Sequence, residues 1–234
     1  MRLTLPIRDV QAATSRARIV RLDLGGALFP YRPGQAVFLG AHGQPHRRPY
    51  SLAAPPEDAL QEAMLELLIG VDAEGQPGPH LAIEPAALVD IEGPIGRFTF
   101  PDTPSERHFL FIAGGTGIAP LRAMLRHALG VPHQALGLFY SARTPDDFAY
   151  ERELRALADV GRLELHQTVT RAPDPDLWTG ARGRVGRQDL QPLVHDAATL
   201  CFVCGPPAFV AEIPPLLEEI GVTRSRIRTE EWNS

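Results

Sequence analysis

The chain has 234 residues, enough for one large domain or two of ordinary size, each with a substantial hydrophobic core. Its formal net charge of −5 and its sequence pI near 5.9 do not provide the basic surface that nucleic acids or anionic membranes attract. We therefore expect small molecules or other proteins as partners, and no nucleic acid.

The N-terminal segment MRLTLPIRDV contains one early arginine, and Pro6, Arg8 and Asp9 interrupt its apolar stretch before a signal-peptide core could form. No apolar run in the sequence approaches the roughly 20 residues that a helix needs to span a bilayer. The sequence therefore predicts a cytoplasmic protein without a membrane span.

Residues 1–101 consist mainly of short apolar segments separated by glycine and proline, with almost no helical periodicity. The predicted strands are LTLPIRDV, RARIVRLDL, QAVFLGA, RRPYSLA, AMLELLIGV and ALVDIEG. Their number and spacing predict a small antiparallel β-barrel. A polar, proline-containing segment follows at residues 101–107, and we place a domain boundary between residues 101 and 102.

From residue 102 to residue 234, apolar segments alternate with amphipathic ones. The predicted strands are HFLFIA, ALGLFY, LELHQTV and TLCFVC, and the helical segments that follow them are IAPLRAMLRHAL, DFAYERELRAL, GRQDLQPLV and PAFVAEIPPLLEEI. This alternation predicts an α/β domain with a doubly wound parallel sheet. Pro214–Pro215 predicts a kink or two helices in the last segment, and residues 171–184 form a long polar loop.

The segment HRRPYSLAAPP, residues 46–56, places arginine, tyrosine and serine together on one predicted strand. An ordinary strand of an antiparallel sheet accounts for these residues as well. Strand periodicity puts Arg48 and Tyr50 on the same face, with Ser51 at the turn that follows, and Arg47 on the other face. A guanidinium beside an aromatic ring suits a ligand that is part phosphate and part flat ring system.

The segment AGGTGIAP, residues 113–120, leads from a predicted strand directly into a predicted helix. At the carboxyl edge of a parallel sheet, such a turn lets backbone N–H groups and the helix N-terminus contact a pyrophosphate. A tight turn that requires positive φ is the alternative explanation of the glycines. The dinucleotide fingerprint G-x-G-x-x-G is not met, because Pro120 occupies its third glycine position.

Cys201 and Cys204 are the two cysteines of the chain, and their CxxC spacing suggests a redox or metal site. Residues three apart on a strand face opposite sides, on the order of 10 Å apart, which is too far for a disulfide. Two thiols also cannot supply four ligands to an iron–sulfur cluster or a structural zinc, so we expect no metal. Cys204 begins the turn CGPP, where it is either a buried apolar side chain or part of a nicotinamide pocket.

Together, the RPYS strand, the GGTGIAP and CGPP turns and the segment EGPIGRF before the junction resemble the ferredoxin–NADP reductase superfamily of flavoproteins, in order and spacing, over essentially the whole chain. The resemblance implies a flavin-binding barrel at residues 1–101 and an NAD(P)-binding domain at residues 102–234. It implies an NAD(P)H-dependent oxidoreductase that transfers electrons to a separate acceptor. FAD is the expected flavin, ahead of FMN. Ferredoxin, an oxygenase partner and free flavin are the expected acceptors, without a fused ferredoxin domain.

On the flavin side, the resemblance assigns Arg48 to the flavin phosphates and Tyr50 to the isoalloxazine ring. Pro49 belongs to the same motif, and Ser51 is expected near flavin N5 as a catalytic residue.

The family's second phosphate loop resembles GQPGPHL, residues 75–81, with Gly75 and Gly78 as cofactor-binding residues. Gly78 stands where a serine or threonine is usual, which leaves backbone N–H groups as the donors. His80 faces either solvent or the phosphate.

On the nicotinamide side, the resemblance assigns cofactor binding to two turns, with Cys204 also a catalytic residue. These residues are Gly114, Gly115, Thr116, Gly117, Cys204, Gly205 and Pro206. Ribose recognition is expected from Ser141 and Arg143 and from Arg171. Since no acidic residue closes the second strand and two arginines are available for a 2′-phosphate, the sequence favours NADPH over NADH.

Trp232 is expected either near the other face of the flavin or as a cap on the core. Two other functions compete with the reductase: a flavin-binding electron-transfer or regulatory subunit without its own nucleotide turnover, and a plain Rossmann dehydrogenase. The predicted barrel and the incomplete fingerprint disfavour the dehydrogenase, and the two nicotinamide turns disfavour the subunit.

Overall fold

The computed structural model describes residues 1–171 and 178–232. Part of the predicted polar loop, residues 172–177, lies outside the described residues. The chain forms two six-stranded sheets, the first antiparallel and the second parallel. This arrangement confirms the predicted fold class.

The N-terminal sheet closes into a barrel. Its elements are β1 (Arg2–Thr14), β2 (Ala17–Asp23), β3 (Ala36–Ala41), β4 (Arg48–Ser51), helix α1 (Pro56–Glu62), β5 (Met64–Gly70) and β6 (Leu88–Ile95). The strand order is β4-β3-β6-β1-β2-β5, and every neighbouring pair is antiparallel. An antiparallel bridge between Leu52 and Leu67 joins the two edges of the sheet.

Strand β5 is shared by the two halves of the molecule. Residues 64–69 are all buried. Because successive side chains of a strand point to opposite faces, Leu67 packs in the barrel core, whereas Leu68 packs in the core of the second domain. The barrel and the second domain therefore meet along this strand, and their cores are separated by one layer of backbone.

The second sheet is parallel throughout. Its elements are β7 (His108–Gly114), α2 (Ile118–Ala128), β8 (Ala135–Ala142), α3 (Glu151–Asp159), β9 (Glu164–Val169), β10 (Ala181–Arg182), α4 (Arg187–Leu190), β11 (Leu200–Gly205), α5 (Pro207–Glu219) and β12 (Ile227–Glu231). The strand order is β10-β9-β8-β7-β11-β12. Strand order reverses between β7 and β11, where open α/β sheets bind their ligands.

Several elements differ from the sequence-based expectations. Helix α1 was not predicted; it begins at Pro56, where proline is favoured in a first turn, with acidic residues next to it. Strands β10 and β12 were not predicted either. Helix α5 continues across Pro214–Pro215, so the expected division into two helices does not occur. Burial of Ile213 and Leu217 against the sheet stabilises this helix despite the missing N–H groups.

In the described ranges 1–171 and 178–232, no helix combines the length and apolar character needed to cross a bilayer. The same residues contain no group of His, Cys, Asp and Glu side chains arranged to hold a metal ion. Both cysteines are free and buried, and they pack on opposite faces of the parallel sheet.

Candidate functional site

A cleft of about 970 Å³ lies between the barrel and the parallel sheet. Thirteen of the predicted site residues line it: Arg48, Pro49, Tyr50, Ser51, Gly114, Gly115, Thr116, Gly117, Ser141, Arg143, Gly205, Pro206 and Trp232. Four others, all within the described part of the chain, do not line it: Gly75, Gly78, Arg171 and Cys204. The cleft thus brings together three of the motifs that carried the family resemblance: the RPYS strand of the barrel and the GGTGIAP and CGPP turns of the second domain.

Strand β4 forms the barrel wall of the cleft. Arg48 is exposed and Tyr50 half-buried, whereas Ser51 is only 6% exposed. The Ser51 hydroxyl is buried and has no hydrogen-bond partner within the described protein. Since buried hydroxyl groups are nearly always satisfied in folded proteins, this wall lacks a partner that a bound ligand can supply.

Tyr50 is oriented by a histidine thirty positions later. The Tyr50 hydroxyl lies 2.8 Å from Nε2 of His80, and the two rings are close to parallel, with 6.0 Å between centroids. His80 is 2% exposed, so it does not face solvent. Burial, with Arg48 and His46 nearby, lowers the pKa of His80, and burial raises the pKa of Tyr50 to about 12. Both groups are therefore neutral near pH 7.

The predicted second phosphate loop lies beside this pair. Between β5 and β6, residues 71–87 form turns without helix or strand. Gly75 and Gly78 have φ of +80° and +103°, conformations that favour glycine. A Cβ at Gly78 would lie 3.5 Å from Nδ1 of His80. Neither glycine lines the cleft, and Gly78 is the one that lies against His80.

The glycine turn after β7 forms the opposite wall. Residues 115–117 make one 3₁₀ turn, and α2 starts immediately after it. Gly115 has φ of +56°. A Cβ on Gly117 would lie only 2.6 Å from the carbonyl carbon of Cys204 and 2.8 Å from the nitrogen of Gly205. Glycine is therefore favoured at position 115 by its backbone conformation. It is required at position 117 because the two predicted nucleotide turns pack backbone against backbone.

Cys204, expected either as a buried apolar side chain or as part of a nicotinamide pocket, does not line the cleft. Its side chain is fully buried and packs in the core of the parallel sheet. Burial, followed by the nearby Glu230, raises the pKa of the thiol well above its usual value. The structure places the next two residues, Gly205 and Pro206, at the cleft surface instead, because strand β11 ends there.

The edge strand β12 adds one residue that sequence reasoning missed, Glu230. It pairs in parallel with β11, which sets Glu230 beside Cys204. The Trp232 amide donates to the Gly205 carbonyl, 3.1 Å away, and holds the indole at the cleft. Trp232 also packs against the core. Burial raises the pKa of Glu230 to about 7, and its Oε2 has no partner among the described residues.

The ends of β8 and β9 form the far side of the cleft. Ser141, Arg143 and Thr170 line this part, and the Thr170 amide donates to the Ala142 carbonyl at 2.9 Å. Arg171 follows Thr170, and its amide donates to the Arg143 carbonyl at 2.7 Å. Because successive residues of an extended chain point in opposite directions, the two expected arginines do not converge. Arg143 is the one that reaches the cleft.

The architecture is an antiparallel barrel followed by a doubly wound parallel sheet, with a glycine-lined cleft between them. It is the architecture of two-domain NAD(P)-linked flavoprotein oxidoreductases. Residues 111–214 match the family model described as the oxidoreductase NAD-binding domain. The chain is also 32% identical over 220 residues to ferredoxin–NADP reductase B of Sorangium cellulosum, covering 89% of this chain and 88% of that protein. The chain belongs to the ferredoxin–NADP reductase superfamily.

Other relatives share the same two domains. The glycine betaine monooxygenase reductase subunit of Pseudomonas aeruginosa is 28% identical over 214 residues, covering 87% of this chain. The match covers 56% of that relative, so the chain spans about half of its length. The ferredoxin reductase in carbazole 1,9a-dioxygenase superposes with a TM-score of 0.83 at 24% identity, covering 100% of this chain and 70% of that chain, which shows a common fold.

Proposed function

We propose that this protein is an NAD(P)H-dependent flavin reductase that binds FAD in the cleft and passes electrons to a separate acceptor. The observation that carries the proposal is the pairing of opposite walls. The barrel wall presents Arg48, Tyr50 and the unsatisfied Ser51 hydroxyl. The other wall presents a glycine turn at the N-terminus of α2, a preferred binding place for phosphate groups.

The barrel wall suits a flavin. The half-buried ring of Tyr50 offers a flat apolar surface, held by His80, and Arg48 offers an exposed guanidinium two residues away on the same face. The Ser51 hydroxyl offers a hydrogen bond at the inner end of the strand. When bound, the flavin would supply the chemistry that links two-electron hydride transfer to single-electron transfer. The protein supplies orientation and exclusion of water.

The opposite wall suits a nicotinamide nucleotide. A Cβ added at Gly115 would meet no atom within 4 Å, so the turn leaves space for a ligand on its cleft side. Arg143, directly after β8, places a positive side chain in the cleft lining. We infer from it a preference for the 2′-phosphate of NADPH. Trp232 lies between the walls and would shield the reacting rings from solvent.

The class of electron acceptor is inferred from the relatives of this chain. Relatives of this chain include a ferredoxin–NADP reductase and a monooxygenase reductase subunit. Ferredoxin or an oxygenase component is therefore the proposed class of acceptor.

The first test is optical. Purified protein is expected to show the visible bands of a flavin and to bleach under anaerobic conditions on addition of NADPH, more slowly with NADH. Release of the flavin and its identification by mass distinguishes FAD from FMN. Colourless protein that does not bind added FAD would reject the proposal. Bound flavin that neither nucleotide reduces would favour an electron-transfer or regulatory subunit.

Two neighbouring arginines provide a matched pair of variants. Arg48 lines the cleft, whereas Arg47, the residue before β4, does not line it and pairs with Asp90 at 3.4 Å. Losing a hydrogen bond to a charged group costs about 1.5–3 kcal/mol, so Arg48→Ala is expected to weaken flavin affinity about tenfold to a hundredfold. Arg47→Ala is expected to retain flavin. Equal flavin content in both variants would reject the place of Arg48 in the site.

A further inference from the structure

A buried arginine links the two walls of the cleft. Arg122 lies in α2, five residues after Gly117, and is only 7% exposed. Its Nη1 lies 2.7 Å from Oε1 of Glu66 and 2.7 Å from the carbonyl oxygen of Ala53, both in the barrel domain. Its Nε donates to Glu153 at 2.8 Å within its own domain. One guanidinium therefore spans the interface between the domains.

The barrel atoms that Arg122 contacts lie directly behind the proposed flavin strand. Ala53 follows Ser51 by two residues. The Ala53 amide donates to the Glu66 carbonyl at 2.8 Å, so both of its backbone polar groups are held. Glu66 is 3% exposed and also accepts from Nε of Arg21 at 2.8 Å. The exit of strand β4 is thus fixed on one side by β5 and on the other by α2.

Buried charged hydrogen bonds of this kind act more on geometry than on net stability. Desolvation of the charges offsets most of their mutual attraction, whereas the short charge-assisted bonds restrict the groups to one arrangement. Arg122 is in the same helix whose N-terminus carries the glycine turn. A helix is rigid over this length, so a constraint at Arg122 is also a constraint on the position of Gly117.

We propose that Arg122 is a positioning residue for hydride transfer. It sets the distance between the Ser51 strand and the glycine turn, without touching either cofactor. The inference rests on the proposed function and adds a determinant of its rate. Loss of Arg122 should change the transfer step while leaving each binding site intact, since flavin is proposed to bind to the barrel wall and nucleotide to the turns.

The same helix offers a matched control. Arg126, one turn later, also crosses the interface: its Nε donates to Asp58 of α1 at 2.7 Å, and its Nη1 to Glu153 at 2.7 Å. It makes neither of the contacts with Ala53 and Glu66 that Arg122 makes. Arg126→Met therefore removes an ion pair between the domains but leaves the exit of β4 held.

The experiment compares Arg122→Met, Arg122→Lys and Arg126→Met in the full chain. Dissociation constants for flavin and nucleotide are expected to stay within about twofold of the parent value. The rate of flavin reduction at saturating nucleotide is expected to fall about tenfold to a hundredfold in Arg122→Met, because misplacement of about 1 Å can have that effect. Arg122→Lys should be intermediate, since one ammonium cannot reach all three acceptors. Arg126→Met should stay near the parent rate.

Hydrogen exchange provides a second readout that needs no cofactor. The Ala53 amide is expected to exchange faster in Arg122→Met than in the parent. Its exchange rate in Arg126→Met is expected to equal that of the parent. If the parent protein is not reduced by either nucleotide, the proposed function fails, and unchanged exchange at Ala53 would then overturn the role of Arg122 separately. An unchanged reduction rate in Arg122→Met, or an equal loss in Arg126→Met, would overturn it as well. Arg122→Lys keeps a positive charge beside Glu66 and decides the question if Arg122→Met does not fold.

Discussion

Replacing Gly117 with alanine tests the close packing of the two nucleotide turns. The new Cβ would lie 2.6 Å from the carbonyl carbon of Cys204 and 2.8 Å from the nitrogen of Gly205, and closer still to the Cys204 carbonyl oxygen. Ordinary contacts of a Cβ begin at 3.4 Å, so the turns must separate by more than about 0.8 Å. All three atoms belong to the backbone, so no side chain can rotate away to relieve the overlap.

The expected cost has two parts. Overpacking of this kind destabilises a protein by about 1–3 kcal/mol, which in a chain of this size lowers the melting temperature by about 2–12 °C. The displaced turn also moves the nucleotide relative to the flavin, so reduction of the flavin should slow about tenfold to a hundredfold. Thermal unfolding and anaerobic stopped-flow reduction measure the two effects separately.

Gly130→Ala is the matched control for this substitution. Gly130 follows α2, and a Cβ there would meet its nearest neighbour, the His127 carbonyl oxygen, at 3.5 Å, an ordinary contact. This variant should keep the melting temperature and the reduction rate of the parent. If Gly117→Ala behaved like Gly130→Ala in both assays, the turns would have to be more loosely packed than the structure shows, and the reasoning would be refuted.

Two further substitutions examine charged groups, Arg143 at the cleft and Glu230 beside Cys204. Arg143→Ala should raise the KM for NADPH about tenfold and leave the KM for NADH unchanged, because only NADPH carries a 2′-phosphate; equal changes for both nucleotides would contradict its proposed role. Glu230→Gln tests the pKa of about 7. The folded state binds the Glu230 proton more tightly than the unfolded state, so this group's contribution to stability is complete below about pH 4.5 and is lost as the pH rises through 7. Relative to the parent, the Gln variant should therefore gain stability between pH 5 and pH 8 in denaturant unfolding, and a constant difference would refute the raised pKa.

The motifs that sequence analysis recognised are local ones. The RPYS strand and the GGTG turn each depend on a few consecutive residues whose side-chain direction or backbone freedom follows from simple periodicity. The alternation of apolar strands with amphipathic helices likewise predicts the parallel sheet without knowledge of long-range contacts. These features place both walls of the cleft correctly at the level of the fold.

The parts that were missed depend on contacts between distant residues. His80 contacts Tyr50, which lies thirty positions earlier, and His80 itself lies in a loop without regular structure. Glu230 becomes partly buried because a short, polar segment adds a parallel edge strand beside Cys204. Neither event leaves a periodic pattern in the sequence, since burial of a charged residue is decided by tertiary packing.

The sequence left the orientation of Cys204 open. The resemblance places this residue near the end of β11, but a strand buried on both faces gives no sign of which side each of its residues faces. In the structure the thiol packs in the core and does not line the cleft. The neighbouring glycine then becomes the surface residue, and its missing side chain is what lets the two turns approach.

The geometry of the cleft is set by two contacts of different kinds. Within the nucleotide domain, Gly117 packs directly on the Cys204–Gly205 backbone, so the two turns move as one unit. Between the domains, Leu68 of β5 packs in the core of the parallel sheet, and Arg122 reaches back to Ala53. Apolar burial without a hydrogen bond would permit sliding, whereas the arginine fixes one register. Both contacts are made between protein groups, so the protein itself sets the geometry on which the rate of the proposed hydride transfer depends.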